Sequence, residues 1–214
     1  LSCIKSYFKY LDTVLELDVL NYRTLKCSKI QAPNMWFFDE QDKQKILNAV
    51  NEWFGTKKIT QIRNRLLTYL FLHTGLRVHE LAKIRIDEIW ESLQIIGKWG
   101  KRRFIYLRKE LLEMIEEYLS IRKEKSGYLF PAQHEWHLAI WTIKNIYKKM
   151  SKKLGIHIHP HKFRHTFAVD LLHIPWSNIY NVSKLMGHSR ITTTQIYLGV
   201  DNSELKELQF WLKF

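Results

Sequence analysis

The sequence predicts an α+β fold, a mostly helical domain carrying a small three-stranded antiparallel sheet. Three observations predict it. Apolar residues recur at three- and four-residue spacing along most of the 214 residues. That period gives way to short strand-like runs between 84 and 107. Punctuation is sparse, with eight Gly and four Pro. Helices and strands are therefore segregated along the chain, not alternated.

The first element, 1–20, reads as an amphipathic helix with Leu1, Ile4, Phe8, Leu11 and Leu15 on one face. One such helix cannot bury its stripe alone, so it reads as the last helix of a helical domain whose earlier part lies outside this sequence. The pattern lapses over 21–37, where Arg23, Lys26, Lys29 and Pro33 make a basic linker. A domain over 38–214 follows. Asp39 reads as an N-cap for a helix with Ile46, Leu47, Val50 and Phe54 on its stripe. A second helix spans about 60–73 and stops at Gly75, and a short one spans about 77–83. Three strands are expected at 84–86, 93–96 and 103–107, with a hairpin tip at 97–101. Further helices are expected at about 109–125, 136–153, 161–173, 177–186, 191–198 and 203–213.

Thirty-four Lys and Arg oppose twenty-one Asp and Glu, a formal charge of +13. Such an excess points to a polyanionic partner, with nucleic acid first among the candidates. No apolar run reaches the roughly 20 residues that span a bilayer, and charges interrupt the first stretch, so neither a membrane span nor a signal peptide is expected. Cys3 and Cys27 form neither a metal pattern nor a disulfide framework and read as reduced cysteines of a cytoplasmic protein.

Four clusters carry residues suited to chemistry. TGLRVHEL at 74–81 sets Arg77 after a glycine turn and Glu80 one helical turn later. The hairpin tip gathers Lys98, Lys101, Arg102 and Arg103, a basic projection able to touch phosphates. The run 157–165 alternates histidines, but Pro160 breaks the alternation and no metal is expected. Its useful pair is His161 with Arg164, three apart on one helical face. Finally Gly187 ends a helix, leaving His188 in the turn, and Tyr197 follows on another short helix. Three clusters also have a plain structural reading: a surface ion pair for the first, a solvated turn with edge-protecting charges for the second, and a surface histidine with a partly buried tyrosine for the last.

Together, in order and spacing, they resemble the tyrosine recombinases, the group that contains phage integrases, Xer resolvases and transposon integrases. The carriers are TGLR with Glu80, GKWGK at 97–101, HKFRH at 161–165, LMGHS at 185–189, and Tyr197 nine residues after His188. The resemblance implies site-specific cleavage and rejoining of double-stranded DNA, as in recombination, integration or transposition, with no cofactor. It implies Tyr197 as nucleophile and Arg77 and Arg164 as phosphate ligands. His161 is implied as proton acceptor, Lys98 (or Lys101) as general acid, His188 as a phosphate hydrogen-bond donor, and Glu80 as an orienting residue. DNA contacts are expected from Lys101, Arg102, Arg103, Arg23, Lys26 and Lys29. The opening helix resembles the end of the family's core-binding domain. Assembly is expected as a homo-tetramer on recombination sites and as a monomer or dimer off DNA. The apolar tail docks on its own domain or on a neighbouring subunit, and the sequence leaves both open. A type IB topoisomerase, a non-catalytic DNA-binding relic and a helical adaptor are the competing readings.

Overall fold

The structure is a computed structural model that describes residues 2–15, 17, 36–96, 102–122, 127–132, 136–175 and 177–187. The chain divides into two units, 1–34 and 35–214. In the first, helix α1 spans Ser2–Thr13. Residues 21–35 of the linker expected over 21–37, the hairpin tip and the helices expected after 187 lie outside the described residues.

The second unit begins with α2, Glu40–Glu52, capped by Asp39, whose carboxylate accepts from the Asp42 N–H at 2.7 Å. Helix α3, Lys58–Thr74, is the centre of the core. Leu66, Leu67, Leu70 and Phe71 have no exposed surface, because α2, α5 (Lys109–Ile121) and α7 (Pro160–Leu172) all pack on α3. Each such side chain contributes about 1.5–3 kcal/mol through burial. Phe163 of α7 seals the middle, with ring centroids 5.8 Å from Phe71, 4.9 Å from Phe38 and 4.9 Å from Tyr147 of α6 (Ile140–Leu154).

Gly75 ends α3 at φ 58°, a left-handed conformation that glycine adopts freely. A Cβ there would also collide with the Phe167 ring. The chain turns directly into α4, Val78–Ala82. Two strands follow, β1 (Ser92–Ile96) and β2 (Arg102–Tyr106), antiparallel with Leu93 opposite Ile105 and Ile95 opposite Arg103. The third strand expected at 84–86 is reduced to a single bridge. Arg85 pairs with Tyr128, the Ile86 N–H donates to Gly127 at 2.9 Å, and a 3-10 turn, Ile86–Glu88, then bends the chain. This segment pairs with 127–129 and not with the hairpin, so among the described residues the sheet has two strands.

Two expected helices are shorter than their apolar pattern. Helix α5 stops at Ile121 because Arg122 turns extended and donates to the carbonyls of Tyr128 and Leu129 at 2.7 and 2.8 Å. Helix α6 starts only at Ile140 because the preceding residues pair backward, the Leu138 N–H reaching Phe130 O at 2.7 Å. Helix α8, Ile179–Met186, packs Val182 and Met186 on Ala168 of α7. Among the described residues no helix is long and apolar enough to cross a membrane.

Candidate active site

Three separated segments meet at the C-terminal end of α3. The first is the turn after Gly75. Arg77 is the N-cap of α4, and its backbone N–H donates to Glu80 Oε2 at 2.7 Å. Its guanidinium returns to Glu80 Oε1 at 3.1 Å. Glu80 answers an orphan N–H of the helix start with its carboxylate, which fixes where Arg77 leaves the backbone.

The second segment is the hairpin. Arg103 grips the same carboxylate in a fork, Nη1 to Oε1 at 3.0 Å and Nη2 to Oε2 at 2.8 Å. The side chains of Glu80 and Arg103 are only 4% and 10% exposed, against 29% for Arg77. Arg103, expected among DNA-contacting residues of the hairpin, is thus turned inward onto Glu80, while Arg102 faces solvent. Burial pushes the Glu80 carboxyl up, but the hydrogen bonds from Arg103 and the Arg77 N–H, with both positive charges, outweigh it and hold the pKa at about 2.

The third segment is α7 with the end of α8. Arg164 is buried, and its guanidinium donates to the carbonyls of Gly75 and Met186. It therefore ties the end of α3 to the end of α8. Gly187, left-handed at φ 62°, closes α8 and lies against Arg103; a Cβ there would stand 3.0 Å from Nη1. His161, one turn before Arg164, is exposed. Partial withdrawal of its ring from water, and then the positive charges of Arg164, Lys144 and Arg77, lower its pKa below the ordinary imidazole value, which favours the neutral form. At the start of α7, His159 serves as N-cap, its Nδ1 accepting from the Lys162 N–H at 3.3 Å.

Glu80 faces two guanidiniums, those of Arg77 and Arg103, and Arg164 adds a third to the site, so the cluster is net cationic, with Arg77 and His161 toward solvent. It can hold a doubly coordinated anion beside a neutral proton acceptor. Among the described residues no group of three or more His, Cys, Asp or Glu is arranged to hold a metal ion. Of the expected site residues, Arg77, Glu80, Arg103, His161 and Arg164 belong to this cluster. Lys98, Lys101, His188, Tyr197, Arg23, Lys26 and Lys29 lie outside the described residues. The inward role of Arg103 was missed by sequence reasoning. The two-residue period of β2 puts Arg103 on the same face as Ile105, but which face is buried is decided by the pairing with β1.

The sequence profile of the Phage integrase family matches residues 37–204. Tyrosine recombinase XerA of Pyrococcus horikoshii is 33% identical over 216 residues, covering 97% of this chain and 70% of the relative. Tyrosine recombinase XerC of Caldanaerobacter subterraneus is 31% identical over 214 residues, and there the chain spans only 59% of the relative's length. In fold, it is similar to the XerH site-specific recombinase solved in a post-cleavage complex with a palindromic difH substrate. The TM-score is 0.74 at 21% identity, over 99% of this chain and 66% of that one. The chain belongs to the phage integrase family, the tyrosine recombinases.

Proposed function

We propose that this chain cleaves and rejoins double-stranded DNA at specific sites through a 3′-phosphotyrosyl intermediate. The Tyr197 hydroxyl attacks the backbone phosphorus, a phosphorus–oxygen bond to the tyrosine forms, and the bond to the DNA 5′-oxygen breaks. A 5′-hydroxyl of another strand then reverses the step, so bond energy is conserved and no cofactor is needed. Arg77 and Arg164 bind the nonbridging oxygens, whose charge grows in the transition state. His161 takes the phenol proton, which an imidazole favoured in its neutral form can do although tyrosine itself has a pKa of about 10. Lys98 protonates the departing 5′-oxygen, His188 donates to the phosphate, and Glu80 orients the two arginines that grip it.

The observation that carries this reading is the convergence of Arg77, Arg164 and His161 on one cationic cluster from segments far apart in sequence. Its support from relatives is that XerH is solved with its difH substrate in pre- and post-cleavage complexes. In the same reading α1 is the last helix of a core-binding domain and 38–214 is the catalytic domain. The protein works in the cytoplasm as a homo-tetramer on its sites, with DNA contacts added by Lys101, Arg102 and the basic residues Arg23, Lys26 and Lys29.

The test is a suicide-substrate assay on a library of nicked duplexes, read on a denaturing gel. Wild type should give a covalent adduct without added metal, and sequencing the trapped DNA should return a defined site. Tyr197→Phe should bind DNA and give no adduct; an adduct from that variant removes Tyr197 as nucleophile.

A further inference from the structure

A cavity of about 460 Å³ opens at the other end of α3, between its first turns and the end of α5. Arg63 lies about 18 Å along the helix axis from Gly75, at 1.5 Å per residue, so this space is separate from the cationic cluster. Its walls are largely apolar: Ile59 of α3, Tyr118 and Ile121 of α5, and Pro131. Arg63 and Thr60 of α3 and Arg122 complete this lining.

Arg63 lacks the carboxylate partner that five other described arginines have. Arg65, Arg77, Arg85, Arg103 and Arg108 each pair with a carboxylate. Arg63 reaches only the Asn64 amide oxygen, Nη2 at 3.1 Å and Nε at 3.4 Å, and among the described residues no carboxylate pairs with it. That oxygen occupies two of five donors and offers no charge. Burial pushes the Arg63 pKa down, as it does for a cation withdrawn from water without an anion. Arg122, beside it, is engaged with the carbonyls of Tyr128 and Leu129 and so holds the wall in place. A volume within the range of small-molecule sites, apolar walls and Arg63, which no carboxylate pairs among the described residues, describe a particular ligand chemistry.

We propose that this cavity binds a small organic anion, its carboxylate, sulfonate or phosphate paired with Arg63 and its apolar body against Ile59, Tyr118, Ile121 and Pro131. Inorganic phosphate alone would satisfy the charge and leave the apolar walls wet, so the amphipathic ligand binds better.

The test is an amide chemical-shift titration of the whole chain with phenyl phosphate and, separately, inorganic phosphate. Phenyl phosphate should saturate on the order of 1 mM, with shifts centred on residues 59–63 and 118–122, and bind at least tenfold tighter than inorganic phosphate. Arg63→Met keeps the aliphatic stem and should weaken phenyl phosphate at least tenfold. Ile121→Trp, at a 36% exposed position where folding is not at stake, should block the cavity and do the same with Arg63 intact. Equal binding of the two anions, indifferent to both substitutions, means diffuse attraction to a basic surface and overturns the proposal. Shifts centred on Gly75 and Arg164 mean that the anion occupies the cationic cluster, and overturn it equally.

Discussion

Replacing Glu80 by Gln removes one negative charge from a carboxylate that accepts four hydrogen bonds, two from Arg103 and two from Arg77. The magnitude can be worked in two ways. A carboxyl whose pKa is held at about 2 instead of the ordinary 4.5 gains roughly 3 kcal/mol from its ionised form, at 1.36 kcal/mol per pH unit. Breaking a buried ion pair by neutralising one partner costs about 3–5 kcal/mol, because the other charge is stranded. The two meet near 3 kcal/mol, which should lower the urea midpoint by roughly 1 M if the denaturant slope is about 3 kcal/mol per molar. Since the folded-state pKa is depressed, this contribution is full above the unfolded value of 4.5 and is lost as pH falls through 2. The gap between wild type and Glu80→Gln should therefore close in acid. Arg103→Met should cost less in the Gln background than in wild type, with a coupling of at least about 1.5 kcal/mol. Additivity within roughly 0.5 kcal/mol would refute the reasoning, since it would mean that the two side chains do not share an interaction.

Four further outcomes are expected. Gly75→Ala forces a left-handed residue and a collision with Phe167, and should destabilise by about 3 kcal/mol in urea unfolding. Phe163→Ala empties the centre of the aromatic core and should cost about 3–5 kcal/mol by the same measurement. Burial first, then the positive charges of His157, His161, His165 and Lys162, hold the His159 pKa at about 4. The neutral cap is thus favourable above the unfolded value of about 6.5 and is lost as pH falls through 4; His159→Asn, which caps without titrating, should flatten stability between those values. Arg164→Lys cannot reach both the Gly75 and Met186 carbonyls with a forked group, and should lower DNA cleavage at least 100-fold in the suicide-substrate assay while leaving DNA binding within a few-fold.

Most of the helices were legible in the sequence because their apolar period and their stops agree. Asp39 and Gly75 act as the caps their residue types suggest, and Gly187 closes α8. What was not legible was decided by pairing at long range. Ile84, Arg85 and Ile86 look like a strand, but their partner is the segment 127–129, and nothing local says so. The end of α5 likewise depends on Arg122 finding two carbonyls beyond the helix, whereas the apolar stripe alone would let it run on. In the cluster itself, TGLR, Glu80 and HKFRH could be read as one set from their order. The inward turn of Arg103 could not be read with the same ease, because Phe104 and Ile105 are both apolar and leave the phase of the strand open. Only the register with β1 decides it, setting Arg103 opposite Ile95 on the buried face.

That phase has a mechanical consequence. Strand β2 leads directly from the segment that carries Lys98, and its only inward arginine is clamped by the carboxylate that also sets the backbone of Arg77. Gly187, against the same Arg103, begins the turn that leads to His188. Glu80 thus joins two segments directly, those of Arg77 and of β2, and reaches the end of α8 only through Arg103, although it needs no contact with DNA to do so. A one-residue slip of the hairpin would remove Arg103 from Glu80 and expose Ile105 at once, so the core and the cluster penalise the same error. In the proposed reaction the arginines must be held in place, and here the packing that buries Ile105 also fixes Arg103 on Glu80 and, through Glu80, the backbone of Arg77.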